Sequence, residues 1–199
     1  MTQRVAIIAS GGANIASLEF ALQRLGASST VTADHDAIKT ASHVILPGVG
    51  AAADAMTRLR QQGLERLVPA LTQPVLGICL GMQLLYTGSA EGGARCLSII
   101  PGNAARFPNI AGRPVPHMGW NTLQLDKASA LLEGVQSGDY AYFVHSYALE
   151  VSDATLASCQ YGARFSACVQ WRNFWGAQFH PERSAGVGAQ LLRNFLSLH

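Results

Sequence analysis

Charge is scarce in this chain: Asp, Glu, Lys and Arg make up only 13% of 199 residues, against roughly a quarter in an ordinary globular protein. The net charge is +2 and no run of Lys or Arg occurs, so the basic footprint of a nucleic-acid binder is missing and no nucleic-acid partner is expected. Long apolar runs are missing too. The segment from Val5 to Ala9 is too short for a signal peptide or a membrane span, so a cytoplasmic protein without membrane contact is expected. The cysteines, Cys79, Cys96, Cys159 and Cys168, never stand as C-x-x-C, which leaves neither a zinc motif nor a dithiol redox motif, and no metal or cofactor is expected. Without a secretory signal the thiols read as reduced. Repeats, low-complexity tracts and long linkers are absent, and the length suits a single domain over residues 1–199. The hydrophobic fraction of 49% fits two readings equally: an apolar surface kept for a partner, or an alanine-rich composition.

The first half alternates strand and helix signals. Arg4 to Ala9 is a short apolar run that ends in Gly11-Gly12, a buried strand entering a turn. Asn14 can cap a helix carrying Ile15, Leu18, Leu22 and Leu25, closed by Gly26. A second strand lies near Ser29 to Ala33. His43 to Leu46 is a third, stopped by Pro47-Gly48. Ala52, Met56 and Leu59 then share a helical face, and Val75 to Ile78 forms a fourth strand running into Cys79. This rhythm predicts a parallel sheet with helices on both faces. From about residue 88 the chain becomes rich in Gly and Pro. Strand-like runs follow at Tyr140 to Leu149, Thr155 to Tyr161, Phe165 to Trp171 and Phe174 to Phe179, spaced to pair antiparallel. Ser184 can cap a last helix with Val187, Leu191, Phe195 and Leu198 on one face. The expected fold is a single α/β domain, mainly parallel in its first half and antiparallel in its second.

Three segments carry chemistry, each at the C-terminal end of a predicted strand, where an open α/β sheet places its ligands. Gly77-Ile-Cys-Leu-Gly81 is the cysteine version of a nucleophile elbow. Gly77 and Gly81 permit the sharp turn, the sulfur of Cys79 stands at a helix N-terminus that favours thiolate, and the Leu80 N–H can face a developing oxyanion. Taken alone, the same pattern also describes a cysteine buried in a turn. Gln178-Phe-His-Pro-Glu182 offers His180 as a base and Glu182 to orient it and stabilise its cation. The two share a face if the segment is extended. Leu46-Pro-Gly-Val-Gly50 supplies glycines that let backbone N–H groups approach a substrate oxygen.

These segments, together with Pro116-His-Met-Gly-Trp-Asn121 and Tyr142-Phe-Val-His-Ser-Tyr147, resemble the class I, triad-type glutamine amidotransferases. Within that family they are most similar to the glutaminase subunits of imidazole glycerol phosphate synthases. The resemblance implies a flavodoxin-like fold and hydrolysis of glutamine to glutamate and ammonia. It also implies a heterodimer with a (β/α)₈-barrel synthase subunit that takes the ammonia for histidine biosynthesis. It assigns Cys79, His180 and Glu182 to catalysis and Gly48, Val49 and Leu80 to the oxyanion region. Gly50, Gln83, His145, Ser146 and Tyr147 fall to glutamine binding, and Asn14, Trp120, Tyr142 and Arg183 to the partner interface.

The chain departs from the family at Ala9-Ser-Gly-Gly-Ala-Asn14, where Asp-Tyr-Gly-x-Gly-Asn is usual, and at Ser98, where glycine is common. A related alternative is the glutaminase of pyridoxal phosphate synthesis, whose Gly-Gly-Glu-Ser signature is replaced here by Pro47-Gly-Val-Gly50. An idle binding module on the same fold is another, and the intact Cys79, His180 and Glu182 weigh against it.

Overall fold

The computed structural model describes residues 3–9 and 15–199. The expected Gly11-Gly12 turn and the Asn14 cap lie outside the described residues, as does Asn14 in its expected role at a partner interface. The chain runs β1 (Arg4–Ile8), α1 (Ile15–Arg24), β2 (Ser28–Thr32), α2 (His35–Thr40), β3 (His43–Gly48), α3 (Ala52–Gln61), α4 (Leu64–Leu67), β4 (Val75–Cys79) and α5 (Leu80–Leu84). It continues through β5 (Tyr86–Ser89), β6 (Ala94–Arg95), β7 (Ile100–Arg106), β8 (His117–Thr122), β9 (Gln124–Leu125), β10 (Tyr140–His145) and β11 (Tyr147–Ala148). The last elements are β12 (Thr155–Tyr161), β13 (Ala163–Trp171), β14 (Phe174–Ala177) and α6 (Ala185–Leu196).

The main sheet has the order β2-β1-β3-β4-β14-β13-β12-β9. Its first five strands are parallel and the rest pair antiparallel. The parallel part has the flavodoxin-like order. Strand alternation feeds two cores, one on each face. Val5, Ile7, Ile45, Leu76 and Ile78 pack with Leu18 and Leu22 of α1 and with Leu191, Leu192 and Phe195 of α6. Ala6, Ile8, Val44, Leu46 and Val75 pack on the other face with Ile38 of α2, Met56 and Leu59 of α3 and Leu64 of α4. Fully buried side chains such as Phe143, Phe165 and Phe195 each contribute roughly 1.5–3 kcal/mol by leaving water. Among the described residues no helix is long and apolar enough to cross a membrane.

Five sequence expectations need correction. β3 runs through Pro47 and Gly48, which pair with Ile78 and Cys79 of β4. The run Tyr140 to Leu149 breaks at Ser146 into β10 and β11, which belong to different sheets. Among the described residues β10 pairs only with β8, in a two-stranded ribbon, and β11 joins a four-stranded sheet of order β11-β7-β5-β6 built from the Gly- and Pro-rich stretch. β14 is antiparallel to β13 but parallel to β4, so it closes the parallel half. Finally, Ser184 does not cap α6 through its side chain. Its hydroxyl donates to the His180 carbonyl at 2.7 Å and accepts from the Tyr142 N–H at 3.0 Å, which ties β10 to the segment after β14.

Ser98, at the family's glycine position, is exposed and has φ 55°. A side chain there costs about 1–2 kcal/mol, while glycine adds about 0.5–1 kcal/mol of entropy to the unfolded chain. Ser98→Gly is therefore expected to stabilise the protein by up to about 1 kcal/mol, a rise of about 2–4 °C in melting temperature for a chain of this size. Thermal unfolding checks this, and a lower melting temperature contradicts it.

Candidate active site

β4 and α5 meet at Cys79, whose backbone has φ 54° and ψ −113°. A conformation of this kind costs roughly 1–3 kcal/mol and persists only where neighbours force it. The forcing contacts are at the two glycines. A Cβ on Gly77 would lie 2.7 Å from the Gly81 carbonyl oxygen, and one on Gly81 would lie 1.8 Å from the Leu46 carbonyl oxygen of β3. The elbow therefore fits only if both positions lack a side chain. It holds the sulfur at the head of α5, where Sγ lies 3.6 Å from the Val144 carbonyl and 3.8 Å from Gln178 Nε2.

Parallel β14 ends beside β4, pairing Ala177 with Ile78, and so delivers Gln178 and His180 to the same edge. The expected extended His-Pro-Glu segment is instead a 3₁₀ turn over Pro181–Arg183, because proline sits at its first position and turns the chain. The pair still forms: His180 Nδ1 lies 2.8 Å from Glu182 Oε1, and the two side chains are only 13% and 5% exposed. A carboxylate only accepts, so Nδ1 carries the proton and Nε2 is left for Cys79. Burial alone lowers the affinity of His180 for a second proton. Hydrogen bonding and charge attraction from Cys79 and Glu182 outweigh it and push its pKa from 6.5 up to about 10.

A cavity of about 300 Å³ opens over these groups, at the small end of the ~300–1,000 Å³ usual for ligand pockets. Of the expected residues, Cys79, His180, Val49, Gly50, Leu80, Gln83, His145, Ser146 and Tyr147 line it. Glu182 and Gly48 stand behind it, against a small adjoining space. Gly48 and Gly50 differ. A Cβ on Gly48 would touch the Gly81 nitrogen at 3.0 Å, whereas Gly50 has φ +89° and open space around it. Conformational freedom in this loop, expected to form the oxyanion region, therefore lies after Val49, not before it. Gln83 is buried and gives both amide protons to the protein, to the Tyr147 carbonyl and to Gln178 Oε1, each at 2.9 Å. His145 has both ring nitrogens engaged, on the Tyr147 carbonyl at 2.8 Å and on His117 Nδ1 at 3.0 Å. It therefore meets a ligand with backbone and ring surface only.

Glu91, Pro116 and Val144 also line the cavity, and Gln178 touches the sulfur. The sequence reading gave none of them a role. Gln178 was within reach, since it lies two residues before His180. Glu91 was not: the turn between β5 and β6 carries it across to α3, where its carboxylate accepts the Ala52 N–H at 2.9 Å. Outside the cavity the β8–β10 ribbon turns an apolar face outward. Trp120 is 52% exposed and meets the Tyr142 ring edge-on with centroids 5.8 Å apart. The Arg183 guanidinium lies over that ring at 4.6 Å. Met118 and Tyr140, also exposed, extend the face. Among the described residues no group of three His, Cys, Asp or Glu side chains is placed to hold a metal.

The raised pKa of His180 makes a stability prediction. A group whose folded pKa exceeds its unfolded value stabilises fully below the unfolded value, here 6.5, and loses that contribution as pH rises through about 10. The melting-temperature gap between the protein and its His180→Ala variant should therefore be wide near pH 6 and shrink above about pH 10. A gap that stays constant across that range contradicts the buried ion pair.

A model of the family described as glutamine amidotransferase class-I matches residues 6–198. Imidazole glycerol phosphate synthase subunit HisH 2 of Legionella pneumophila (strain Paris) is 54% identical over 98% of both chains. Subunit HisH of Xanthomonas euvesicatoria pv. vesicatoria (strain 85-10) is 51% identical over 98% of this chain and 97% of its own. Subunit HisH of Vibrio cholerae serotype O1 (strain ATCC 39315 / El Tor Inaba N16961) is 46% identical over the whole of both. Among solved structures, a glutamine amidotransferase superposes with TM-score 0.75 at 21% identity, covering 97% of each chain. A second, from Thermotoga maritima, superposes with TM-score 0.71 at 16% identity, covering 99% of this chain and 97% of its own. At such identities these two speak for the fold. With the family model spanning nearly the whole chain and relatives about half identical from end to end, the chain belongs to the class-I glutamine amidotransferase family.

Proposed function

We propose that the chain, as one amidotransferase domain over residues 1–199, is the glutaminase subunit of an imidazole glycerol phosphate synthase. It hydrolyses glutamine to glutamate and ammonia and passes the ammonia to a (β/α)₈-barrel synthase subunit. The observation that carries this reading is the juxtaposition of Cys79, at a strained elbow, with a buried His180 hydrogen-bonded to Glu182, over a cavity of amino-acid size. End-to-end similarity to proteins named as subunits of that synthase supports the choice of product and partner. The cytoplasm suits the site, because Cys79 must stay reduced.

In the proposed mechanism the Cys79 thiolate attacks the side-chain amide carbon of glutamine, paired with the His180 imidazolium. Negative charge then gathers on the amide oxygen, where the Leu80 N–H and an N–H from the Val49–Gly50 peptide can receive it. His180 gives its Nε2 proton to the departing ammonia, which leaves a glutamyl thioester. His180 next takes a proton from water, the hydroxide adds to the thioester, and glutamate leaves with the sulfur regenerated as thiolate. Glu182 holds the imidazole ring in the tautomer this requires. Among the described residues Glu91 is the only carboxylate lining the cavity, and it suits the α-ammonium group of an amino-acid substrate. The exposed face of Trp120, Tyr142 and Arg183 is proposed as part of the synthase contact, with Met118 and Tyr140 beside it. Aromatic residues and Arg are enriched in such contacts.

Gly50 gives the mechanism a switch. With open space around it and positive φ, the Val49–Gly50 peptide can rotate at little steric cost and present either a carbonyl or an N–H to the cavity. One missing oxyanion donor costs on the order of a hundredfold or more in rate. The chain alone should therefore hydrolyse glutamine at least about a hundredfold more slowly than the complex with the synthase subunit and its nucleotide acceptor. Cys79→Ser should abolish turnover in that complex while leaving assembly intact. Steady-state glutaminase assays of the chain, the complex and the liganded complex provide the test. Full activity of the chain alone removes the switch, and substantial activity of Cys79→Ser removes the mechanism.

A further inference from the structure

The His145–Tyr147 wall of the cavity is backed by a line of polar groups, half-buried at Asn121 and buried at His117 and His145, whose hydrogen bonds can run in only one direction. The line starts at Asn121. Its Oδ1 accepts the Thr122 N–H at 2.8 Å and its Nδ2 donates to the Gln160 carbonyl at 3.0 Å, so the amide cannot be reversed. The same Nδ2 lies 3.3 Å from His117 Nε2, and that nitrogen must therefore accept. A neutral imidazole has one donor and one acceptor, so His117 Nδ1 carries the proton and donates to His145 Nε2 at 3.0 Å. His145 in turn carries its proton on Nδ1 and donates to the Tyr147 carbonyl at 2.8 Å. From the opposite side the same carbonyl accepts a proton of Gln83, which also bonds Gln178, the residue touching the Cys79 sulfur.

Both rings suit the neutral state that this logic needs. His117 is 3% exposed and is stacked on Tyr161 and on Phe143, each at an interplanar angle of 23°. His145 is 6% exposed and edge-on to Phe107 and Phe165. Burial pushes both pKa values down, to about 4 for His117 and about 3 for His145, so neither ring is charged at neutral pH.

We infer that His117 is a positioning residue for the glutamine site: its Nδ1 proton fixes the tautomer of His145, which fixes the Tyr147 carbonyl and with it the wall against which glutamine lies. The inference rests on the glutaminase reading for its substrate. His117 touches no substrate and acts only through His145. Without its proton, the buried Nε2 of His145 either loses its partner or draws the ring into the other tautomer. In the second case a lone pair of Nδ1 meets the lone pairs of the Tyr147 carbonyl. Either outcome weakens the hold on glutamine equally in the ground-state complex and in the transition state, so the loss belongs to KM rather than kcat.

Two substitutions separate this role from packing. His117→Phe keeps an aromatic ring in the stack and removes the hydrogen bonds. His117→Asn leaves a smaller side chain but retains an amide donor near the position of Nδ1. In the complex with the synthase subunit and its acceptor present, His117→Phe should raise KM for glutamine about tenfold, the effect of one buried unsatisfied group. The value of kcat should stay near that of the unchanged protein, and His117→Asn should recover most of the loss. A normal KM for His117→Phe, or a larger defect for His117→Asn than for His117→Phe, overturns the inference. Nitrogen-15 NMR of the imidazole rings in the chain itself reads the same point without turnover. His145 should be the Nδ1–H tautomer at neutral pH, and should lose that uniform state in His117→Phe. Finding His145 as the Nε2–H tautomer or as imidazolium overturns the inference even if glutamine is the substrate. An Nδ1–H signal with no glutaminase activity leaves the hydrogen-bond geometry standing and fails the functional reading instead.

Discussion

Gly81 lies so close to the Leu46 carbonyl of β3 that a methyl group on it would sit 1.8 Å from that oxygen. This one close approach lets α5 start hard against the neighbouring strand, and it fixes the level at which β4 ends. The register then follows: Gly48 pairs with Cys79, and Ala177 on β14 pairs with Ile78. Three parallel strands stop at the same height, and the loop after Gly48, Cys79 and the His180 segment leave the sheet side by side. Any side chain at residue 81 would part β3 from α5 and separate these groups together. The fold and the site therefore share one steric condition.

Around that condition the site is stabilised by pairing buried polar groups, not by exposing them. His180 with Glu182 Oε1, and Gln83 with Gln178, satisfy groups that would otherwise cost roughly 1–3 kcal/mol apiece away from water, while Glu182 Oε2 is buried without a hydrogen-bond partner among the described residues. The β8–β10 ribbon has two jobs on opposite faces. Outward it carries Met118, Trp120, Tyr140 and Tyr142, and inward His117, Asn121 and His145. A ribbon of two strands is marginal by itself. This one is held by the Ser184 hydroxyl between Tyr142 and His180 and by packing on Phe107, Phe165 and Tyr161.

Much of this could be read in the sequence, for physical reasons. Most of the parallel half was legible because β1, β3 and β4 are short, largely apolar runs separated by helical periodicity; β2, Ser28–Thr32, is a polar edge strand, and the parallel pairing of β14 was not foreseen. The elbow was legible because only glycine fits at residues 77 and 81. The second half was less so. The split of residues 140–149 at Ser146 leaves no mark in the sequence, because nearly every residue of the run is apolar or aromatic; the change of phase, from burial of Ala141, Phe143 and His145 to burial of Ala148, shows only in the fold. The small sheet of β5, β6, β7 and β11 is hidden because its strands are short and studded with Gly and Pro, which read locally as loop. Ser184 has the composition of a helix cap, and a tertiary bond claims its hydroxyl instead. Glu91 reaches the cavity only through the fold of that small sheet, so no local spacing could announce it. The high hydrophobic fraction, for which two readings stood equal, now has a structural counterpart in the exposed apolar face of the ribbon.

The central claim is that Cys79 alone among the four thiols is activated. Cys96, Cys159 and Cys168 are buried, and burial pushes their pKa values up, to about 11 for Cys96, about 12 for Cys159 and higher still for Cys168. Cys79 shares its cavity with His180. The direct measurement is to treat the complex with a glutamine-like electrophile at neutral pH and map the adduct by mass spectrometry. One modification is expected, on Cys79, that tracks the loss of glutaminase activity and is blocked by glutamine. Preferential modification of Cys96, Cys159 or Cys168, or inactivation with Cys79 left untouched, would contradict it.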